Sequence, residues 1–289
     1  MFFELYRMLY IYFLRPIFFL IEADTIHQSI LNYGNKLGSS VLGRTMIKTS
    51  FDYKSKKLKQ KIAGIEFANP VGLAAGFDKD GDLINILPSV GFGFTQVGTV
   101  TFNPYEGNPK PWSFRLKKSR AILVNYGLKN VGVKTISEKI KKRKVKNFPI
   151  GVSAGKTNSK DTANDAAGTE DYYNCLNYLV KESVGDFYTI NISCPNTFGG
   201  EPFTSENKLD SLLKKLSEVK HKKPVFLKMP INLPWEEFKK LCDVALKYKV
   251  TGVIIGNLNK NRSDPAIIDK IPEKLAGSVS GIPTKKLSD

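Results

Sequence analysis

Asp186–Thr197 reads DFYTINISCPNT. Its first half, Phe187–Ser193, alternates and is rich in β-branched and aromatic residues, the pattern of a buried strand. Its second half turns at Pro195 and sets Asn191, Ser193, Cys194, Asn196 and Thr197 within seven positions. A strand ending in amides, a thiol and a proline is a poor core element and a good rim for a site. Amides both donate and accept hydrogen bonds, and a thiol moves a proton. The competing reading is a polar turn that happens to hold a cysteine.

Similar apolar runs lie at Val71–Ala75, Thr95–Val100, Phe148–Ala154, Pro224–Met229 and Thr251–Gly256, with helix-like stretches such as Asp210–Lys222 and Trp235–Tyr248 between them. Strands apolar on both faces, alternating with helices, imply a parallel sheet covered by helices. The runs end in glycine or polar residues: AAGFDK, GTVT, SAGKTN, NISCPNT, LKMP and IGNLN. Polar chemistry spread over the C-terminal ends of many parallel strands is how a (β/α)8 barrel of the TIM type builds its site. A doubly wound sheet would concentrate it at one switch point. The predicted fold is therefore α/β, a (β/α)8 barrel.

The 289 residues suffice for one large α/β domain or two small ones. Lys and Arg number 44 against 27 Asp and Glu, for a net charge of +17, with a dense run at Lys134–Lys146. Such an excess fits a solvated lysine-rich surface, or else an anionic membrane, nucleic acid or small anionic substrate. Cys175, Cys194 and Cys242 are widely spaced and odd in number, which argues against a disulfide framework and for a reducing compartment. With two histidines and no CxxC or Cys/His cluster, no metal site is predicted.

Residues 1–23, MFFELYRMLYIYFLRPIFFLIEA, are apolar and aromatic, interrupted by Glu4, Arg7 and Arg15 and broken at Pro16. Their uninterrupted apolar pieces fall short of the ~20 residues that span a bilayer. They also lack an early positive charge and a small-residue cleavage site. The expectation is one or two amphipathic helices lying in a membrane interface, the alternative being a helix pair packed on the domain. Asp24-Thr25 offers a cap for a helix over IHQSILNYGNKLG. The predicted organisation is 1–40 helical extension, 41–60 polar and basic linker, and 61–289 barrel.

NPVGLAAGFDKDG (Asn69–Gly81), GFGFTQVGTVTFNPYEGNPKPWSFRL (Gly91–Leu116), NISCPNT and VFLKMP, in this order, closely resemble the dihydroorotate dehydrogenase family. The resemblance runs from about residue 5 to 284, and LRP before ADTIHQSIL resembles its membrane-associated, quinone-reducing class 2 branch. It implies an FMN barrel that oxidises dihydroorotate to orotate in pyrimidine synthesis and passes electrons to a quinone. It also implies peripheral attachment to the cytoplasmic face of the cell membrane, or to the mitochondrial inner membrane in a eukaryote. A dihydrouridine synthase acting on tRNA, another flavin barrel with a cysteine, is the alternative in kind. The absence of a basic-aromatic patch speaks against it, and no nucleic acid partner is expected.

Carried over by position, the resemblance places Cys194 as the base that removes the C5 proton. It places Ala75, Gly76, Phe77, Asp78, Lys79, Thr99, Ser153, Asn191, Lys228, Gly256 and Gly281 at the flavin. Lys79, Asn125, Asn191, Asn196, Thr197 and Asn257 fall at the substrate, and His27 and Arg115 at the quinone tunnel. A uracil-like ring carries alternating carbonyl and N–H groups, which amides match. Lys228, ending an apolar strand, needs an acceptor, and the reduced flavin edge gathers negative charge.

The sequence also departs from the class 2 pattern. Cys194 stands where serine is usual. VNYGLKN (Val124–Asn130) is one residue short of the class 2 motif, with Leu128 in place of an aromatic residue. Ser153 stands for an asparagine and Gly256 for a threonine. Only 33 residues follow Gly256, ending at SVSGIPTKKLSD, with Ser280-Gly281 resembling the flavin loop after strand six. Strands seven and eight, whose loops bind the FMN phosphate in such barrels, are therefore expected to be missing. A non-catalytic remnant without flavin is the second alternative.

Overall fold

The computed structural model describes residues 2–289, with side chains from residue 4. Phe2–Leu9 (α1), a π-helical turn at Tyr10–Leu14 and Arg15–Phe18 (α2) open the chain, followed by Ala23–Ser39 (α3) and Val41–Phe51 (α4). A hairpin of Gln60–Ile62 (β1) and Ile65–Phe67 (β2) leads to Gly72–Leu73 (β3), Leu87–Val90 (α5) and Phe94–Val100 (β4). Ser113–Leu116 (β5) and Ala121–Val124 (β6) form a second hairpin. Alternation then takes over: Val133–Lys141 (α6), Ile150–Ala154 (β7), Asp165–Lys181 (α7), Phe187–Asn191 (β8) and Glu206–Leu216 (α8). Val225–Met229 (β9), Trp235–Lys247 (α9), Gly252–Ile255 (β10), Ser278–Gly281 (β11) and Lys285–Ser288 (α10) complete the order.

The six predicted strand runs all form, as one parallel sheet in the order β10-β9-β8-β7-β4-β3. Every residue of β7 and β8 is buried, because helices cover one face and the curled sheet encloses the other. The covering helices present apolar residues at helical spacing, such as Ile136 and Ile140 of α6 and Leu209, Leu212, Leu213 and Leu216 of α8. This is the TIM-type barrel architecture.

At the N-terminal mouth of the sheet, Phe67, Phe94, Phe187 and Phe226 meet with ring centroids 5.1 to 6.5 Å apart. Gly72 and Gly151 make room for them, since a Cβ at either position would stand 2.3 Å from a phenylalanine ring. The plug closes that end and leaves the other for chemistry.

Three local expectations change. The stretch 41–60 is not all linker: residues 41–51 are helical, capped by the Ser40 hydroxyl accepting from the Gly43 N–H. Asp24 does not cap a helix. Helix α3 already starts at Ala23 with Glu22 at its cap position, and the Asp24 carboxylate turns to the barrel, accepting from the Trp112 N–H at 2.9 Å and from Ser113 Oγ. Ser278–Gly281 is not a free loop but a strand, antiparallel to β6, that completes a three-stranded sheet β11-β6-β5.

That small sheet and α3 roof the C-terminal end of the barrel. Among the described residues no helix is long and apolar enough to cross a membrane. The N-terminal segment nonetheless exposes Leu5, Tyr12, Phe13, Ile17 and Leu20, the last at 86%.

Candidate active site

A cavity of about 600 Å³ lies between the C-terminal strand ends and the roof. Its floor is polar and connected. Asn191, ending β8, donates to Thr99 Oγ1 at 2.7 Å and accepts from both the N–H and the hydroxyl of Ser193. Thr99 Oγ1 lies 3.0 Å from Ser153 Oγ, and Asn257 donates to Ser193 Oγ at 2.9 Å. Hydrogen bonds among buried side chains lock their rotamers, so the amides reach the cavity pre-aimed.

Two lysines bring charge into this setting. Lys228 stands directly across from Asn191 in the β8–β9 register. Burial pulls its pKa below the ordinary lysine value, and among the described residues no carboxylate lies within 4 Å. Lys79 Nζ sits 3.7 Å from the centroid of the Tyr126 ring, and burial brings its pKa down to about 8. A desolvated ammonium such as Lys228, with no carboxylate that close among the described residues, favours an anionic or strongly accepting guest, whereas Lys79 has Asp80, Asp24 and Asp78 supporting its charge. Next to Gly76, the space a Cβ would occupy has no atom within 4 Å, so this wall is bare backbone, open to a flat ring. The cavity thus fits a planar group carrying acceptors, placed over the Thr99–Asn191 floor and against Lys228.

Cys194 lines the same cavity, its pKa pushed up to about 11 by burial, with the Asn196 N–H and Lys228 working in the opposite direction. Its loop is braced. Asn196 donates to the Val124 carbonyl at 2.9 Å, Lys156 to the Phe198 carbonyl at 3.0 Å, and the largely buried Glu201 pairs with Lys260 at 2.6 Å. On the roof side, His27 Nε2 donates to the Phe77 carbonyl at 2.8 Å, and the Arg115 guanidinium donates to the Ile21 carbonyl. Ala23, Ile26, Ile30, Ile122 and Val124 make this end apolar.

The structure therefore brings together Ala75, Gly76, Phe77, Lys79, Thr99, Asn191, Cys194, Asn196, Lys228, Gly256, Asn257, His27 and Arg115 around one cavity. Five sequence-predicted residues stand outside its lining. Asp78 is fully buried, its pKa raised to about 6 by burial while it accepts the Asp82 and Leu83 N–H groups. Ser153 supports Thr99 from beneath. Asn125 accepts from the Asn108 amide. The Thr197 hydroxyl closes its own turn by donating to the Gly200 carbonyl at 2.7 Å. Gly281 lies on the roof strand, and its neighbour Ser280 reaches the cavity instead.

Ser193, part of the polar set read from the sequence, joins the floor, whereas Tyr126 and Asn108 were missed. Asn108 donates to Asn125 and to the Asn196 carbonyl. Nothing in a lone asparagine 88 positions before Asn196 announces that pairing.

A parallel barrel with an amide-lined cavity at its C-terminal mouth, two desolvated lysines and a half-buried thiol has the layout of an enzyme site for a planar, acceptor-bearing ligand. The chain belongs to the dihydroorotate dehydrogenase family, whose profile matches residues 57–288. Among similar proteins, the dihydroorotate dehydrogenase (quinone) of Trichodesmium erythraeum is 37% identical over 285 residues, 92% of this chain and 73% of the relative. That of Coxiella burnetii is 37% identical over 295 residues, 96% and 78% respectively. The crystal structure of the ligand-free enzyme from Eimeria tenella superposes with a TM-score of 0.75 at 27% identity, covering 92% of this chain and 77% of that one. The chain thus spans about three quarters of the length of these relatives. The family is generally FMN-dependent.

Proposed function

We propose that this chain oxidises dihydroorotate to orotate with FMN as cofactor and passes the electrons to a quinone. The observation that carries the reading is Lys228: a desolvated ammonium with no carboxylate within 4 Å among the described residues, registered beside Asn191 at the floor of a cavity with one bare backbone wall.

Thr99, Asn191, Lys228 and the Ala75–Phe77 backbone would hold the flavin, and FMN when bound supplies the hydride acceptor. Lys79 faces the substrate carboxylate, with Asn196 and Asn257 on the ring amides. Cys194 takes the C5 proton. Its raised pKa keeps it a thiol at rest, so proton transfer depends on thiolate formed as substrate docks, with Lys228 favouring that charge. The braces from Lys156 and Lys260 hold the thiol in place while this happens.

His27 and Arg115 mark the quinone end, which the apolar α3 and β6 residues keep dry. The exposed aromatic and aliphatic side chains of residues 5–20 fit a peripheral helix embedded at a bilayer surface, on the cytoplasmic face where the reducing compartment lies.

The test is the visible absorption spectrum of the purified chain with FMN, followed by dihydroorotate under anaerobic conditions. Bleaching of a bound flavin is the expected result. A chain that binds no flavin refutes the proposal for these residues.

A further inference from the structure

A second cleft of about 720 Å³ adjoins the cavity, lined on its outer side by Glu22, Asp24, Gln28, Lys110 and Trp112. His27, Lys79, Tyr126 and Lys129 line both spaces and form the wall between them. Within this wall the Tyr126 hydroxyl donates to Asp24 Oδ1 at 3.0 Å and lies 3.5 Å from His27 Nδ1. His27 Nε2 faces the Phe77 carbonyl, so Nε2 carries the proton and Nδ1 is free to accept. The chain Asp24–Tyr126–His27 thus runs from the outer cleft to the inner cavity.

We propose that this wall is a proton relay feeding the acceptor end of the cavity from water in the outer cleft. The inference rests on the quinone reading above. Oxidation of dihydroorotate gives up one proton from C5 and one hydride, a proton with two electrons, from C6. A quinone becoming a quinol takes up two electrons and two protons. The hydride accounts for both electrons and one proton, so the second proton must be drawn from solvent.

The relay supplies it in one concerted step. The Nε2–H bond of His27 breaks as an O–H bond forms on the quinone, which competes with the Phe77 carbonyl. The Tyr126 hydroxyl rotates and passes its proton to Nδ1, and water in the outer cleft restores that proton beside Asp24, the hydroxide it leaves being neutralised in bulk solvent by the proton released from C5. Once the quinol departs, water in the emptied cavity protonates Nε2 as Nδ1 returns its proton through Tyr126 to the outer cleft, which resets the tautomer. Burial and Asp24 hold the Tyr126 hydroxyl well above the usual tyrosine range, and burial and Lys79 hold His27 below the usual histidine range. Neither residue therefore rests in a charged form, and the proton passes without a charged intermediate. Lys79 and Lys129 are the cations facing the relay and Asp24 its carboxylate.

Tyr126 is on this reading a positioning and relay residue, and Tyr126→Phe separates its two parts, since the ring over Lys79 stays and the hydroxyl goes. In the FMN-loaded full chain, rapid mixing should show the quinone-dependent step falling about 10²-fold further than the dihydroorotate-dependent step, as for loss of a general acid. Asp24→Asn should slow the quinone step in the same sense, should Tyr126→Phe fold poorly.

The independent readout is ¹⁵N NMR of histidine-labelled protein, simple to assign because the chain holds only His27 and His221. Tyr126→Phe should shift the His27 Nδ1 resonance. An equal fall in both steps, or an unmoved His27 signal, overturns the relay. Failure of wild-type flavin to bleach with dihydroorotate would instead strike the parent reading, and the NMR arm would still decide whether the hydroxyl serves His27.

Discussion

The base assignment makes a quantitative demand on the pH profile of the first half-reaction. Burial lifts the Cys194 thiol from 9.0 to about 11. Each pKa unit is a factor of ten in the thiolate fraction, so at neutral pH the site holds about a hundredfold less thiolate than a free cysteine. If thiolate removes the C5 proton, the second-order rate of flavin reduction, measured with dihydroorotate well below saturation so that it reports the free site, should climb close to tenfold per pH unit from 7 to about 10 and level off near 11. Cys194→Ala should remove that slope and lower the neutral rate by 10²–10⁴-fold, the usual worth of a positioned base, with the flavin spectrum unchanged. Lys228→Met should push the thiol higher and move the plateau to more alkaline pH. Anaerobic stopped-flow bleaching measures all three. A flat profile in the wild type, or a Cys194→Ala variant within tenfold of it, would remove Cys194 as the base.

Other outcomes follow from single features. Lys79 has its pKa depressed to about 8, so it loses its charge as pH rises through 8. Orotate, which needs the ammonium, should bind with constant affinity below that pH and about tenfold more weakly per unit above it. Lys79→Met should bind more weakly by about 10- to 100-fold, as for loss of a charged hydrogen bond, without pH dependence in this range; calorimetric titration reads both. Helix α3 rides down the barrel on a glycine, because a Cβ at Gly38 would meet the Ile86 nitrogen at 3.0 Å. Gly38→Leu should therefore cost about 1–3 kcal/mol of stability in chemical denaturation. Removing residues 1–22 deletes the exposed apolar helices but keeps His27, so recovery on lipid vesicles should be lost while dihydroorotate still bleaches the flavin. Recovery unchanged by the deletion would locate the membrane contact elsewhere.

The six parallel strands were legible because each carries its own signal, an apolar run with a polar or glycine end, whatever its neighbours do. The roof sheet was not. Its strands are four residues long, and β6 finds β11 across more than 150 positions, a pairing that no local pattern encodes. Lys79, Lys228 and Cys194 stood out in sequence because charged and thiol groups at strand ends demand an explanation. Asp78 and Thr197 stood in the same motifs, but their side chains satisfy nearby backbone, and a motif does not reveal which way a side chain turns. Tyr126 was passed over as a shortened loop, since its importance comes from standing between Asp24 and His27, roughly a hundred residues away.

The sheet also has a gradient across it. Strands β7 and β8 are buried at every residue, whereas β10 leaves Val253 38% and Ile255 52% exposed. Amide hydrogen exchange should divide the barrel accordingly, slowest at β7 and β8 and fastest at β10, as local opening spreads from the least packed elements. The cavity straddles that divide. Asn191 belongs to the slow half, while Gly256 and Asn257 hang from the fast one. A guest bridging Asn191 and Asn257 would tie the two halves together, so protection gained at β10 on binding would report occupancy of the site from a strand that contributes little to the core.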